Sequence, residues 1–267
     1  MSRSLESGVR ALQRVDGRVA RGAAALPLVG LSREKRRIEE AVRRGESVLM
    51  LGPAGSGKTA LVKSIAASTP GAVYVEYRRV LHDMLAALAT ALIENRHPRL
   101  TALVRNGNSP AKWADGQTSV HLRGVLWSGL ETSPCLLILD NIDRSSFQAY
   151  RFFQRVYFSR GMRMIAAARD PMRLGELRRL FWDPRQTVQM MPLSESEAST
   201  LFELAADQFG LAGLDLDDFR PRVLDNAKGN PGQIVEMCRM AREPQYRSGK
   251  HILFAPLRID VMARYLA

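Results

Sequence analysis

The sequence has few cysteines and no long apolar run. Its two cysteines, Cys135 and Cys238, lie in apolar surroundings, and neither belongs to a C-x-x-C pair. We therefore expect buried free thiols in a reducing compartment rather than a disulfide or a metal site. No apolar run is long enough to cross a bilayer, and the N-terminus shows no apolar stretch typical of a secretory signal. These absences favour a cytoplasmic location without a transmembrane segment.

Acidic residues are scarce relative to basic ones. The chain has 27 Asp and Glu against 39 Lys and Arg, a formal net charge of +12. This charge favours an anionic partner, which could be nucleotide alone, nucleic acid or a membrane surface. Because the basic residues are scattered, an arginine-rich but ordinary protein surface explains the charge equally well. The sequence lacks a helix-turn-helix, zinc-finger or RNA-binding signature, so charge supports at most backbone contact with nucleic acid.

The chain nevertheless has enough apolar residues for a substantial core, at 46% of the total. The first segment, 1–25, is basic, with apolar residues at steps of three and four that predict a weak amphipathic helix. We interpret this segment as a basic N-terminal arm that is flexible or docks as a short helix. Contact with DNA is the alternative.

The most informative stretch is a phosphate-binding loop. The apolar residues 48–51 end abruptly in glycines, and Gly52, Gly57, Lys58 and Thr59 fit the P-loop pattern G-x-x-x-x-G-K-[ST]. In such a loop successive backbone N–H groups point at one centre, and the helix that follows adds its positive end. Lys58 is expected to reach the β- and γ-phosphates, and the Thr59 hydroxyl to bind Mg²⁺. The residues predicted to bind nucleotide are Gly52, Pro53, Ala54, Gly55, Ser56, Gly57, Lys58, Thr59 and Ala60.

Strand-like and helical segments alternate around this loop. The pattern predicts strands at 47–51, 72–77, 135–140, 162–168 and 187–191, and helices at 32–44, 58–68, 80–94, 120–130, 147–159 and 172–181. Residues 95–118 are polar and turn-rich and predict a long loop. This alternation is typical of an α/β fold with a parallel sheet sandwiched by helices.

The strands stop near residue 192. Ser194 and Glu197 form a capping-box pattern that opens a helix, and further helices are predicted at 217–226 and 231–242. Residues 251–267 contain a strand-like piece and a final helix. We therefore predict four parts: an arm at 1–25, a P-loop α/β core at 26–192, a small helical lid at 193–245 and a C-terminal tail at 246–267.

A second acidic signal follows the P-loop by about 80 residues. Asp140 ends the apolar segment CLLILD, which predicts a buried strand. Carboxyl ends of parallel strands are where open α/β sheets bind ligands. We expect Asp140 to hold the Mg²⁺ shell through water, as the Walker B carboxylate does.

Taken in order, the motifs resemble the AAA+ and STAND branch of P-loop ATPases over about residues 26–242. They are LVGLSRE at 28–34, the P-loop, LILDNID at 137–143, AAARD at 166–170, PLSESEASTLF at 192–202 and GNPGQIVEM at 229–237. The resemblance implies ATP and Mg²⁺ as ligands and ATP hydrolysis under a helical lid. It also implies that Pro231 packs near the base and that Arg169 closes the sensor strand. The DNA-transposition helper ATPases, which are short and basic, are one similar class.

The sequence departs from this family where hydrolysis is concerned. Asn141 stands where AAA+ proteins have the Glu that activates water, and an amide can orient water but cannot accept its proton. Asp143 or Glu76 could substitute. Other departures are Ala167 and Ala168 in the sensor strand, and Gly232 and Gln233 in place of a sensor-2 arginine.

We therefore predict Mg-ATP binding with slow hydrolysis that drives a conformational switch and regulates another protein or a second copy of the chain, with DNA as a further partner. One alternative is a nucleotide-gated binding module without turnover, and another is a membrane-peripheral ATPase that uses segment 1–25. An arginine finger acting in trans is expected among Arg178, Arg179 and Arg185, unless these residues only form a basic surface.

Overall fold

A computed structural model describes residues 26–104 and 109–266. The predicted arm, 1–25, lies outside the described residues. The chain forms two compact units. The first comprises Glu34–Gly52 and Lys58–Gln189, and we call it the α/β unit. The second comprises Pro53–Gly57 with residues 26–33 and 190–266, and we call it the helical unit.

The α/β unit contains a five-stranded parallel sheet in the order β2-β3-β4-β1-β5. Its strands are β1 Val48–Leu51, β2 Val73–Glu76, β3 Leu136–Ile142, β4 Arg163–Ala168 and β5 Thr187–Gln189. Its helices are α1 Ser32–Arg43 from Glu34 onward, α2 Lys58–Ser68, α3 Leu81–Glu94, α4 Pro98–Thr101, α5 Pro110–Asp115, α6 Ser119–Thr132 and α7 Phe147–Phe158. The predicted α/β fold with a parallel sheet flanked by helices is confirmed.

Burial explains why β1 and the first four residues of β3 are continuous apolar runs. All four residues of β1 are buried, and so are the first five residues of β3. A strand covered on both faces reads as a continuous apolar run rather than an alternating one. Helix α3 contributes Met84, Leu85 and Leu88 to the same core, each with 0% exposure.

Two predicted segments differ from the structure. The predicted loop 95–118 contains the short helices α4 and α5. The helix predicted at 172–181 is two 3₁₀ turns, Pro171–Leu174 and Glu176–Leu180, separated by Gly175 with φ of 57°. Ser145 bridges to Gly175, and a Cβ atom there would lie 2.5 Å from the Ser145 carbonyl oxygen. This close backbone approach breaks the helix that the local pattern favours.

The helical unit is built on α8 Glu195–Gln208, α9 Leu216–Ala227 and α10 Pro231–Ala241. The capping box predicted at Ser194 and Glu197 is present at the start of α8. A small hairpin, β6 Arg247–Ser248 with β7 His251–Ile252, and helix α11 Phe254–Leu266 complete the unit.

The predicted tail is part of the core of the helical unit. Phe254, Leu257 and Val261 belong to the same buried cluster as Phe202 and Met237. The Phe219 ring contacts the Phe254 ring edge-to-face, with centroids 6.1 Å apart. Residues 246–266 therefore complete the helical unit, because without them its helices would expose this apolar face to water.

Candidate nucleotide-binding site

The carboxyl ends of β1, β3 and β4 lie at one edge of the sheet. Leu51 is in register with Ala168, and Asp140 is in register with Glu76 at the end of β2. Directly after β1, the Gly52 N–H donates a hydrogen bond of 3.3 Å to the Ala168 carbonyl oxygen. The sequence expectation that Asp140 sits at this edge agrees with the register.

Lys58 opens helix α2 and turns back toward β1. Its Nζ donates a hydrogen bond of 2.6 Å to the Gly52 carbonyl oxygen. Burial lowers the pKa of Lys58 from 10.5 to about 8, the Asp140 carboxylate opposes this shift, and Arg169 adds to it. The ammonium group is thus partly desolvated near a carboxylate, which strengthens its interaction with any anion that binds there. The next residue, Thr59, is exposed on the first turn of α2.

Asp140 is almost fully buried, with 2% exposure, and both carboxylate oxygens accept hydrogen bonds. The Tyr74 hydroxyl donates to Oδ2 over 2.9 Å, and the Asn141 N–H donates to Oδ1 over 2.8 Å. Each oxygen of a carboxylate has two lone-pair sites, so acceptor capacity is left for a metal-bound water.

Asn141 itself is exposed and has φ of 55°, in the left-handed region. The pairing of β3 with β4 shifts register between Leu139 and Ile142 around it. Asn tolerates this conformation better than most residues, whereas Glu would be strained there. The backbone thus explains why an amide stands at this position.

The two substitute bases are both paired with arginine. Asp143 accepts hydrogen bonds from Arg79 and, over 3.0 Å, from Arg173. Burial tends to raise the pKa of the Asp143 carboxyl, but the hydrogen bonds and charges of the two arginines hold it below its ordinary value. A carboxylate with a lowered pKa is a weak proton acceptor. Glu76 is 53% exposed and lies 3.8 Å from the Arg78 guanidinium.

The turn of the P-loop is a tight structure within the helical unit. The Ser56 N–H donates over 3.2 Å to the Pro53 carbonyl oxygen, and Gly55 and Gly57 have φ of 78° and 87°. Such positive φ values favour glycine. A Cβ atom on Gly57 would lie 2.9 Å from Leu31 Cδ1, so space as well as backbone angle requires glycine there.

The N-terminus of α10 holds this turn. The Asn230 side chain donates over 2.9 Å to the Ala54 carbonyl oxygen while its own oxygen caps α10 at the Gln233 N–H. The Gly232 N–H donates over 2.8 Å to the Gly55 carbonyl oxygen. The segment Gly229-Asn230-Pro231 therefore contacts the P-loop turn itself within the helical unit.

Helix α11 also reaches the turn, through Tyr265. A Cβ atom on Gly55 would lie 2.5 Å from Tyr265 Cε1, and one on Gly232 would lie 2.7 Å from the Tyr265 hydroxyl oxygen. Burial and the nearby Glu236 charge raise the pKa of Tyr265 to about 12, so the hydroxyl stays protonated at neutral pH.

The remaining predicted residues lie at the end of β4 and in the segment that follows it. Ala167 and Ala168 are buried in β4 and offer no polar side chain at this edge, while Arg169 is exposed just beyond them. Among the candidate finger residues, Arg179 pairs with Glu176 over 2.9 Å, and Arg185 is 95% exposed.

The residues present fit a nucleotide-bound Mg²⁺. Within residues 26–104 and 109–266, no group of three or more His, Cys, Asp or Glu side chains could hold a metal ion by itself. Mg²⁺ is commonly held by one or two protein groups together with substrate phosphates and water. The Thr59 hydroxyl and the Asp140 carboxylate are of the kind that such an ion uses.

Three contacts at this site were not predicted from the sequence. They are the hydrogen bond from Tyr74 to Asp140, the hydrogen bond from the Asn230 side chain to Ala54, and the contact of Tyr265 with Gly55. The strand order would have placed β2 beside β3 and so Tyr74 near Asp140. Nothing in the local sequence indicates that Tyr265, more than 200 residues after the P-loop, contacts Gly55.

Comparison with known proteins concerns the fold and part of the sequence. Residues 48–154 match the family model "ATPase family associated with various cellular activities (AAA)". No curated protein sequence matches the chain.

Among solved structures, a mutant of RuvB from Thermotoga maritima aligns with a TM-score of 0.53 at 15% identity, covering 89% of this chain and 71% of that one. A Walker-type ATPase from Pyrococcus abyssi aligns with a TM-score of 0.54 at 15% identity, covering 90% and 71%. A STAND protein with a tetratricopeptide repeat sensor from Pyrococcus horikoshii aligns with a TM-score of 0.48 at 16% identity; the alignment covers 93% of this chain but only 34% of that one.

The sheet order and the glycine-rich loop between β1 and α2 define a P-loop nucleoside-triphosphatase fold. Within this fold, residues 48–154 are similar to the AAA family of ATPases, and the two solved structures with TM-scores of 0.53 and 0.54 share the fold. In the part of the chain that the structure describes, no helix is long and apolar enough to cross a membrane.

Proposed function

We propose that the chain binds Mg-ATP at the P-loop and hydrolyses it slowly. The observation that carries this proposal is the position of Lys58, held on the Gly52 carbonyl oxygen and within electrostatic range of Asp140. Lys58 binds the β- and γ-phosphates, Thr59 and Asp140 hold Mg²⁺ directly and through water, and the glycines let the backbone N–H groups approach the phosphates. When bound, Mg²⁺ would supply positive charge beside the phosphate oxygens that these residues hold.

Slow turnover follows from the groups around the γ-phosphate position. Asn141 can orient a water molecule but cannot take its proton, and Asp143 is engaged by two arginines. The end of β4 offers only alanine side chains before Arg169. The same observations favour the second candidate function, a nucleotide-gated binding module without turnover.

Steady-state ATP hydrolysis by wild type and Lys58→Ala distinguishes these functions. Slow wild-type turnover that Lys58→Ala abolishes supports the ATPase. Absence of turnover with ATP still bound supports the module, and turnover that survives in Lys58→Ala contradicts both. Asn141→Gly removes the side-chain amide but keeps the backbone conformation, because glycine readily adopts the left-handed region. If this variant loses turnover, the amide itself is the group that orients the water molecule.

Nucleotide binding is also proposed to act as a switch. Residues 53–57 belong to the helical unit, and Asn230 and Gly232 hold them by hydrogen bonds. When phosphate binding moves this turn, the hydrogen bonds transmit the movement to helix α10. A shift of α10 alters the surface that a partner would bind. The partner is another protein or a second copy of the chain.

The net charge of +12 supports DNA as a further partner. DNA binding measured with and without ATP across a salt series tests this step. A steep salt dependence that appears only with ATP supports it, since phosphate contacts release counterions. Equal and weak binding with and without ATP contradicts it.

A further inference from the structure

A tyrosine on β2 contacts the carboxylate that we assign to the metal shell. In the parallel pairing of β2 with β3, Tyr74 lies opposite Ile138, two residues before Asp140. Side chains two residues apart point to the same face of a sheet, and a long aromatic side chain reaches the diagonal neighbour. The Tyr74 hydroxyl covers this distance and donates to Asp140 Oδ2 over 2.9 Å.

The same ring also contacts the helix that follows the P-loop. The Lys63 Nζ lies 5.6 Å from the centroid of the Tyr74 ring. Lys63 is on α2, four residues after Thr59, and is therefore on the same face of that helix. Tyr74 thus connects the strand that carries Asp140 with the helix that carries Lys58 and Thr59.

We propose that Tyr74 is a positioning residue that orients the Asp140 carboxylate toward metal-bound water. The Asn141 N–H holds Oδ1 and the Tyr74 hydroxyl holds Oδ2, so the carboxylate cannot rotate freely. Groups that hydrogen-bond a metal-binding carboxylate tune metal affinity, and their loss typically weakens it about 10–100-fold. This inference rests on the proposed Mg-ATP binding.

The inference predicts a specific defect. Loss of the hydroxyl releases one oxygen of Asp140 but leaves Lys58 and the backbone of the P-loop unchanged. Tyr74→Phe is therefore expected to need a higher Mg²⁺ concentration than wild type for the same change in ATP binding. Its affinity for ATP without Mg²⁺ should equal that of wild type. A purely structural role would weaken ATP binding equally with and without Mg²⁺.

The experiment measures binding of a fluorescent ATP analogue in EDTA and across a Mg²⁺ titration. The proteins are wild type, Tyr74→Phe, Asp140→Asn and the double variant. Tyr157→Phe is the matched control, because it also removes one half-buried tyrosine hydroxyl of the α/β unit, which accepts a hydrogen bond of 2.9 Å from the Gln186 side-chain amide. Unfolding temperatures without ligand show whether each variant is folded.

For Tyr74→Phe we expect the Mg²⁺ concentration that gives half of the full change in ATP binding to be about tenfold higher than for wild type. The Tyr157→Phe control should give the same value as wild type. The double variant should resemble Asp140→Asn alone, since Tyr74 acts through Asp140. A shift of less than twofold in Tyr74→Phe beside a large shift in Asp140→Asn overturns this inference alone. An unchanged Mg²⁺ dependence in Asp140→Asn overturns the assigned metal role of Asp140, and the inference fails with it.

Discussion

Replacing Gly232 by Ala tests the contact between helix α10 and the P-loop turn. A Cβ atom at residue 232 would lie 2.6 Å from Gly55 Cα, 2.9 Å from the Gly55 carbonyl oxygen and 2.7 Å from the Tyr265 hydroxyl oxygen. Two of these neighbours are backbone atoms, so the turn must move rather than a flexible side chain. Such overpacking typically costs about 1–3 kcal/mol, while the helix gains up to about 1 kcal/mol from Ala. We therefore expect a net loss of about 1–2 kcal/mol in the free energy of unfolding.

The turn that moves is also the one that should bind phosphate. Gly232→Ala should weaken ATP binding at least about tenfold, equal to about 1.4 kcal/mol, because the Gly55 backbone is displaced. Urea denaturation and equilibrium binding of a fluorescent ATP analogue measure the two effects.

Gly124→Ala is the matched control. Gly124 is exposed in α6, and a Cβ atom there would have no neighbour within 4 Å. This variant should gain up to about 1 kcal/mol of stability and bind ATP as wild type does. Equal stability and equal ATP affinity for the two alanine variants would refute the reasoning.

Three further predictions concern the helical unit. Ser194→Ala removes the cap of α8 and should cost about 1 kcal/mol in urea denaturation, and an unchanged midpoint would count against the capping box. The pKa of Glu236 is lowered, since the hydrogen bonds and charges of Arg239 and Arg264 outweigh the effect of burial. Its contribution to stability is therefore fully present at neutral pH and is lost as the pH falls through the lowered pKa. Glu236→Gln should be less stable than wild type at pH 7, and the difference should begin to shrink only below about pH 4.3, the pKa of an unperturbed Glu, and vanish at lower pH. Burial raises the pKa of Cys238 to about 12, so its thiol should resist alkylation at pH 8 until urea unfolds the protein, and rapid labelling of the folded protein would disprove this.

Much of the α/β unit follows from local patterns in the sequence. The buried strands β1 and β3 are continuous apolar runs, and Lys58–Ser68 is a helix with the predicted bounds. The loop between β1 and α2 needs glycine at residues 55 and 57, where φ is positive. The motif specifies the glycine at residue 57, whereas residue 55 stands at a position that the motif leaves open.

The remaining features depend on contacts between distant residues. The break at Gly175 comes from its bridge to Ser145, which competes with a locally acceptable helix. The register shift and left-handed backbone at Asn141 come from the pairing of β3 with β4. The hydrogen bond from Tyr74 to Asp140 likewise requires the strand order, and local propensity does not encode it.

The central claim is that this chain binds ATP through Lys58. Equilibrium binding of ATP to wild type, Lys58→Ala and Lys112→Ala tests it most directly, since Lys112 is an exposed lysine in α5 of the same α/β unit. A hydrogen bond to a charged group is worth about 1.5–3 kcal/mol, so Lys58→Ala should bind at least about tenfold more weakly than wild type. Lys112→Ala should bind as wild type does. Equal affinity of all three proteins, or no ATP binding by the wild type, would contradict the account.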